Sequence, residues 1–198
     1  MKMRRIARAA LPTHYGAFTI FAFEEDAGKR ESVIALIMGE PAAQPFPLVR
    51  IHSQCLTGEI FGSSRCDCGD QLDTALRKIA EEGHGVLIYQ FAEGRGIGLM
   101  NKLMAYELQD SGHDTVEANH QLGFDADSRD YALCAALLLE FGIDRIRLMS
   151  NNPRKLEGLA AAGIREIERV PIEIPPSDSS ERYLRTKKDK LGHILSQI

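Results

Sequence analysis

The chain is poor in several things, and each shortage narrows what it can be. No apolar run approaches the roughly 20 residues that span a bilayer, so no membrane partner is expected. The opening stretch MKMRRIARAALPTHYG is basic, but it has no long apolar segment and no cleavage-site pattern. A secretory signal is therefore not expected, and a cytoplasmic protein is. Positive charge is not in excess: 24 Lys and Arg against 28 Asp and Glu leave a net charge of −4. That balance argues against broad electrostatic binding to nucleic acid. There is no internal repeat and no low-complexity tract. Cysteines number only four, and in a reducing compartment a cluster of them reads as metal ligands or catalysts before it reads as disulfides.

What is present is an ordinary globular composition. The 198 residues are 44% hydrophobic, enough for a real core. Strand-like runs come first: GAFTIFAFEE and SVIALIMGE, with a loop around DAGKR between them, suggest antiparallel pairing. LVRIHSQCL reads as a strand that delivers Cys55 to its far end. From residue 63 the pattern alternates. DQLDTALRKIAEEG carries apolar residues at helical spacing and closes on Gly83. GVLIYQF reads as a buried strand, GLMNKLMAYELQDSG as a helix, SRDYALCAALLLEFG as a helix starting at Ser128, and DRIRLMS as a strand. NPRKLEGLAAAG reads as a short helix with Pro153 in its first turn. IREIERVPIEI is a last strand and SSERYLRTKKDKLGHIL a last helix. The expected class is α/β: a mixed sheet with a β-rich N-terminal part and helices packed around it. One domain is expected over 1–198, β-rich over 1–62, α/β over 63–175 and a helical tail over 176–198. Basic residues at the two ends (Arg4, Arg5, Arg8; Arg182, Arg185, Lys187, Lys188, Lys190) read as solvated helix faces.

Three of the four cysteines, Cys55, Cys66 and Cys68, fall in a C-x10-C-x-C pattern. Three thiolates suit a catalytic zinc whose fourth position is held by water or substrate; a structural site would usually offer four ligands. Zinc lowers the pKa of its water to roughly 7, which suits hydrolytic attack on a carbon beside nitrogen. A structural metal with an unseen fourth ligand, or three unrelated buried thiols, remain alternatives. Cys134 lies in an apolar helical run and reads as a small buried hydrophobe. His52 would point away from Cys55 on a strand, and reads as a polar contact.

Three polar loops offer further chemistry. AEGRGIG follows a strand and precedes a helix, so its backbone can approach an anion, though it is neither a Walker A loop nor GxGxxG. Within it Arg95 suits a phosphate and Glu93 a base edge with N–H donors. FDADSRD holds Asp127, which can cap a helix, and Arg129, which is unfavourable for the dipole in a first turn. SNNPRK brings hydroxyl, amide and cationic groups to another helix start.

Together RIHSQCLTGEIFGSSRCDCGDQL, AEGRGIGLMNKLMAYELQDSGHDTVEANHQLGFDADSRDY and LMSNNPRK resemble, in order and spacing, the GTP cyclohydrolase II family of riboflavin biosynthesis. The resemblance covers nearly the whole chain. It implies opening of the imidazole ring of GTP with release of formate and pyrophosphate, a zinc ion, Mg²⁺ with the triphosphate, and a homodimer. It implies zinc ligands Cys55, Cys66 and Cys68, and substrate contacts from Arg50, Ile51, His52, Ser53, Gln54, Gln71, Glu93, Gly94, Arg95, Thr115, Ser150 and Lys155. Tyr106 would also meet substrate. Asp127 would be the proton acceptor and Arg129 the group acting at the α-phosphate, more plausibly by stabilising charge than by attack, since guanidinium stays protonated. The family's usual HSEC is HSQC here, HRQEGRG is QFAEGRG, SLRCDCG is SSRCDCG and TNNP is SNNP. Gln54 and Gln90–Ala92 leave a second expectation open: a paralogue with a formyl-retaining product, or a non-catalytic nucleotide binder.

Overall fold

The structure is a computed structural model that describes residues 3–25, 33–177 and 179–198. The DAGKR loop lies outside the described residues. The chain divides into two compact units, each drawn from separated stretches: residues 1–52, 73–91 and 130–172, and residues 53–72, 92–129 and 173–198.

The first unit is built on a seven-stranded mixed sheet. Its strands are β1 (Met3–Thr13), β2 (Gly16–Glu25), β3 (Val33–Met38), β4 (Leu48–Ser53), β5 (Gly85–Gln90), β6 (Arg145–Met149) and β7 (Glu166–Val170), in the order β1-β2-β3-β5-β4-β6-β7. Pairs β1–β2, β2–β3 and β3–β5 are antiparallel. Pairs β4–β6 and β6–β7 are parallel. The antiparallel start and the later parallel pairs are the mixed sheet that the sequence pattern predicts.

Residue chemistry explains the order. Val86, Leu87 and Ile88 of β5 are buried, as continuous apolar runs are when both faces of a sheet are covered, and in β4 Leu48, Val49 and Ile51 are buried together with Arg50 and His52. β1 lacks such a run, and Arg4 to Ala10 are exposed. Its order comes from the ladder with β2, which runs from Met3↔Glu25 to Thr13↔Gly16 with one register shift between Arg5 and Ala7. The basic residues Arg4, Arg5 and Arg8 therefore lie on a strand, not on a helix face. Helix α5 (Ala132–Glu140) is apolar nearly all round, and buries Cys134, Ala135, Leu137 and Leu138. They join Leu159 of α6 (Pro153–Ala161) and sheet residues Val49, Ile88, Ile146 and Leu148 in one core. α6 starts as predicted: Asn152 caps it by accepting from Arg154 N at 3.1 Å, with Pro153 at the first position.

Two helix boundaries differ from the sequence reading. α5 begins at Ala132, not Ser128, because Asp130 Oδ1 accepts from Ala132 N at 2.9 Å. Arg129 thus lies outside the helix, and the dipole argument about it falls away. Asp127 accepts from Arg129 N at 3.2 Å, which closes a turn instead of capping the helix.

The second unit holds α1 (Leu56–Glu59), the first turn of α2 (Cys68–Glu82), α3 (Leu99–Asp110), α4 (Thr115–Gln121) and α7 (Glu181–Leu191). Helix α4 sits in a stretch that the sequence pattern reads as loop. It is held by a reciprocal capping box, in which Asp114 accepts from Val116 N and Glu117 N while Glu117 accepts from Asp114 N. No helix among the described residues is long and apolar enough to cross a membrane.

Candidate functional site

Two helix starts in the second unit bring the cysteines together. Cys55 is the cap residue of α1, Cys68 opens α2, and Cys66 lies in the loop between them. Their three sulfurs all lie within 4.8 Å of one another. Cys55 Sγ and Cys66 Sγ are 3.6 Å apart, far beyond the roughly 2.05 Å of a disulfide. Tetrahedral sulfurs about 2.3 Å from a zinc ion are about 3.8 Å apart, so this spacing fits a shared cation. Among the described residues no fourth His, Cys, Asp or Glu joins the group. The donors are soft sulfurs, which suit a zinc-like ion better than Mg²⁺ or Ca²⁺.

Backbone choice makes room for the cluster. A Cβ on Gly58 would lie 3.1 Å from Cys66 Sγ and 3.3 Å from Cys55 Sγ. One on Gly69 would lie 2.6 Å from the Gly58 carbonyl oxygen, so α1 and α2 approach as closely as they do only through glycine. Hydrogen bonds from Cys66, then Cys68, drive the Cys55 thiol far below its ordinary value against the upward push of burial. The same bonds push Cys66 and Cys68 up. A proton-sharing thiol cluster of this kind binds a cation by releasing its protons.

Lys102 of α3 reaches into the cluster. Its ammonium donates to Cys55 Sγ at 3.2 Å, Thr57 Oγ1 at 3.0 Å and Glu93 Oε1 at 2.8 Å. Burial would lower its pKa, but Glu93 and Cys55 outweigh that and hold it above the ordinary lysine value. Glu93 Oε2 accepts from Leu56 N at 2.7 Å, beside Cys55. Tyr106 Oη lies 3.2 Å from Thr57 Oγ1, and burial raises its pKa.

The EGRG turn is bent by Gly94 and Arg95, both at φ +61°. Arg95 is the one non-glycine at positive φ among the described residues, a placement that costs roughly 1–2 kcal/mol. It is held by Ser128 N, which donates to Arg95 O at 3.1 Å. The strain aims the guanidinium at Thr115, whose Oγ1 accepts from Nη1 at 3.0 Å. Two residues that the sequence analysis assigns to substrate thus meet.

Asp127 and Arg129 form a two-pronged ion pair: Nε to Oδ1 at 2.8 Å and Nη2 to Oδ2 at 2.6 Å. Arg129 Nη1 also donates to Ser53 Oγ at 3.3 Å. Burial would raise the Asp127 pKa, but the hydrogen bonds and charge of Arg129 win and lower it. Gln71 donates to Asp67 Oδ2 at 2.5 Å, and Lys187 of α7 donates to Oδ1 at 2.7 Å. Lys187 is therefore no solvated tail residue: it pairs with a carboxylate seated between two of the cysteines.

Arg50, Ile51, His52, Ser150 and Lys155 lie in the first unit. Arg50 donates to Met149 O at 2.8 Å and Lys155 to Ile51 O at 2.8 Å. Ser150 Oγ accepts from Asn152 N at 3.1 Å. Ile51 is a core side chain and offers only its backbone. His52 is buried and stacks on Tyr89 with centroids 5.8 Å apart, and Tyr89 meets Phe91 edge-on at 5.5 Å. Gln54 is half-buried next to Cys55.

Sequence reasoning missed Lys102 and the Asp67–Lys187 pair. α3 buries Lys102 and Ala105 and turns Met100, Leu103 and Met104 outward at 65%, 41% and 44% exposure, the reverse of an ordinary amphipathic helix.

A family model described as GTP cyclohydrolase II matches residues 4–171. The chain is 52% identical over 197 residues to a GTP cyclohydrolase-2 of Enterobacter sp. (strain 638), with all of both chains covered. The same enzyme of Citrobacter koseri is 52% identical and that of Escherichia coli O45:K1 is 51% identical, again with complete coverage of both chains. A solved two-domain 3,4-dihydroxy-2-butanone 4-phosphate synthase from A. baumannii is similar at TM-score 0.48 and 21% identity, over 85% of this chain and 40% of that one. Matched by the family model over most of its length and by full-length relatives above half identity, the chain belongs to the GTP cyclohydrolase II family.

Proposed function

We propose that the protein is a zinc-dependent hydrolase that opens the imidazole ring of GTP. The products would be formate, pyrophosphate and 2,5-diamino-6-(5-phosphoribosylamino)pyrimidin-4-one. The observation that carries the reading is the cluster of Cys55, Cys66 and Cys68, three sulfurs at metal spacing with no fourth protein ligand among the described residues. Zinc, when bound there, supplies a Lewis acid that activates water near neutral pH.

The chain's own groups do the rest. Arg129 is permanently charged and forks toward two oxygens at once, so it can turn from Asp127 to an α-phosphate and stabilise developing charge there. Asp127 is a weak base while Arg129 faces it. Loss of that neighbour to a phosphate strengthens Asp127 as proton acceptor, which links phosphate engagement to base strength. Arg95 and Thr115 support the nucleotide from the EGRG turn, and Gln71 and Tyr106 flank the cysteines. The roles of Arg50, Ile51, His52, Ser53, Gln54, Glu93, Gly94, Ser150 and Lys155 toward GTP rest on the family resemblance. Mg²⁺ with the triphosphate, a homodimer and a cytoplasmic setting belong to the same reading.

Incubation with GTP, Zn²⁺ and Mg²⁺ tests it. Equimolar formate and pyrophosphate with the pyrimidine product are expected. Pyrophosphate without formate would point to the formyl-retaining paralogue, and neither product would remove the enzymatic reading. Full-length identity near 52% to GTP cyclohydrolase-2 proteins favours the complete reaction.

A further inference from the structure

Lys102 is the residue whose position the motifs leave unexplained. An ammonium has three N–H donors, and in this site each has an acceptor: a thiol sulfur, a hydroxyl and a carboxylate. Its side chain is 11% exposed and that of Glu93 8%. A buried ammonium is kept only where such partners exist. Glu93 fixes it from two sides, accepting from Leu56 N next to Cys55 and from Gly94 N at 3.0 Å in the EGRG turn. The lysine is thus aimed at Cys55 by two separate pieces of backbone. Its aim at sulfur has a chemical consequence. Three thiolates around a divalent cation leave one surplus negative charge, which weakens a Lewis acid and repels a polyphosphate. A charged hydrogen bond to one sulfur draws density away from the metal and offsets that surplus.

We propose that Lys102 is a positioning residue for the metal site: its ammonium holds Cys55 Sγ by a charged hydrogen bond and tunes how strongly that sulfur donates to the bound ion. Glu93 and Thr57 hold the ammonium in place.

The proposal rests on the three sulfurs binding a metal, and the two ideas fail separately. The test uses the full chain with Co²⁺ in place of Zn²⁺, reading the sulfur-to-cobalt charge-transfer band in the native protein, Lys102→Met and Lys102→Arg. One equivalent of Co²⁺ is expected in each. The band should move to lower energy in Lys102→Met, because the sulfur becomes more electron-rich, and return toward the native position in Lys102→Arg. Turnover of GTP should fall roughly 10–100-fold in Lys102→Met, the usual effect of losing a partner behind a metal ligand. Lys102→Gln, which keeps an N–H donor without charge, replaces the methionine variant if that chain does not fold, with the same band shift as criterion. A band that stays at the native position, or that lies at the same energy in the methionine and arginine variants, overturns the proposal. Failure of the native protein to bind Co²⁺ removes the metal reading and this inference with it.

Discussion

Lys187→Met removes one partner of the Lys187–Asp67 pair, and its cost follows from the structure. The charges are 2.7 Å apart, with side chains 11% and 4% exposed. At an effective dielectric constant near 20, attraction at that distance is about 6 kcal/mol. Taking both ions out of water costs several kcal/mol each, so the intact pair contributes little net stability. The single variant is different: it leaves Asp67 buried with Gln71 as its one remaining side-chain donor among the described residues, at a cost of about 3–5 kcal/mol. The effect should reach the cysteines, since Asp67 lies between Cys66 and Cys68. It should also loosen α7, which is otherwise tied by Arg182 to Gly112 O at 2.6 Å and by Lys190 to Glu117 at 2.9 Å. Urea unfolding at saturating Zn²⁺ measures the loss. The companion variants Asp67→Asn and Asp67→Asn/Lys187→Met complete a double-mutant cycle, and the double variant should lose clearly less than the two singles added. A Lys187→Met protein within about 0.5 kcal/mol of native, the range of ordinary surface changes, would refute the pairing.

Three further outcomes are expected. Gly58→Ala places a Cβ against two of the sulfurs and should weaken Zn²⁺ binding by about tenfold or more in a chelator competition, while the far-ultraviolet circular dichroism of the chain stays native. Arg129→Ala should move the acid limb of the pH–rate profile upward, because Asp127 loses the guanidinium that lowers its pKa. The stability that pair gives is present above the ordinary carboxylate range and lost as pH falls through the depressed value, and the variant should lack that pH dependence in thermal melts. Burial pushes the Cys134 thiol up to about 12, so in the folded protein it should resist iodoacetamide at pH 8 and label only on unfolding, as read by mass spectrometry; the stability tied to this neutral thiol is present below the ordinary thiol value and lost as pH rises through about 12.

Particular residues show what a sequence can reveal of such a site. The sulfur cluster was legible because three of only four cysteines fall within fourteen residues, and Cys134 was separable because its neighbours are all apolar. α6 was legible from Asn152 and Pro153. α4 was not, because its polar composition gives no periodicity; its signature was the Asp114–Glu117 box, three residues apart. α5 starts at Ala132, not Ser128, and among four polar residues in a row only geometry picks Asp130 as the one whose carboxylate meets the free Ala132 N–H. Lys102 and Lys187 were hidden because lysine is ordinarily a solvated residue. Each lies in the interior only because a distant carboxylate, Glu93 or Asp67, meets it there.

The central claim is that Cys55, Cys66 and Cys68 hold one catalytic metal ion. Its most direct test is zinc content per chain in the native protein and in Cys66→Ser, both purified with added Zn²⁺ and dialysed. The account predicts one zinc per native chain, a large loss in Cys66→Ser, and loss of formate release with it. Full zinc occupancy in Cys66→Ser would contradict the ligand set, and a native protein that releases formate without zinc would contradict the claim itself.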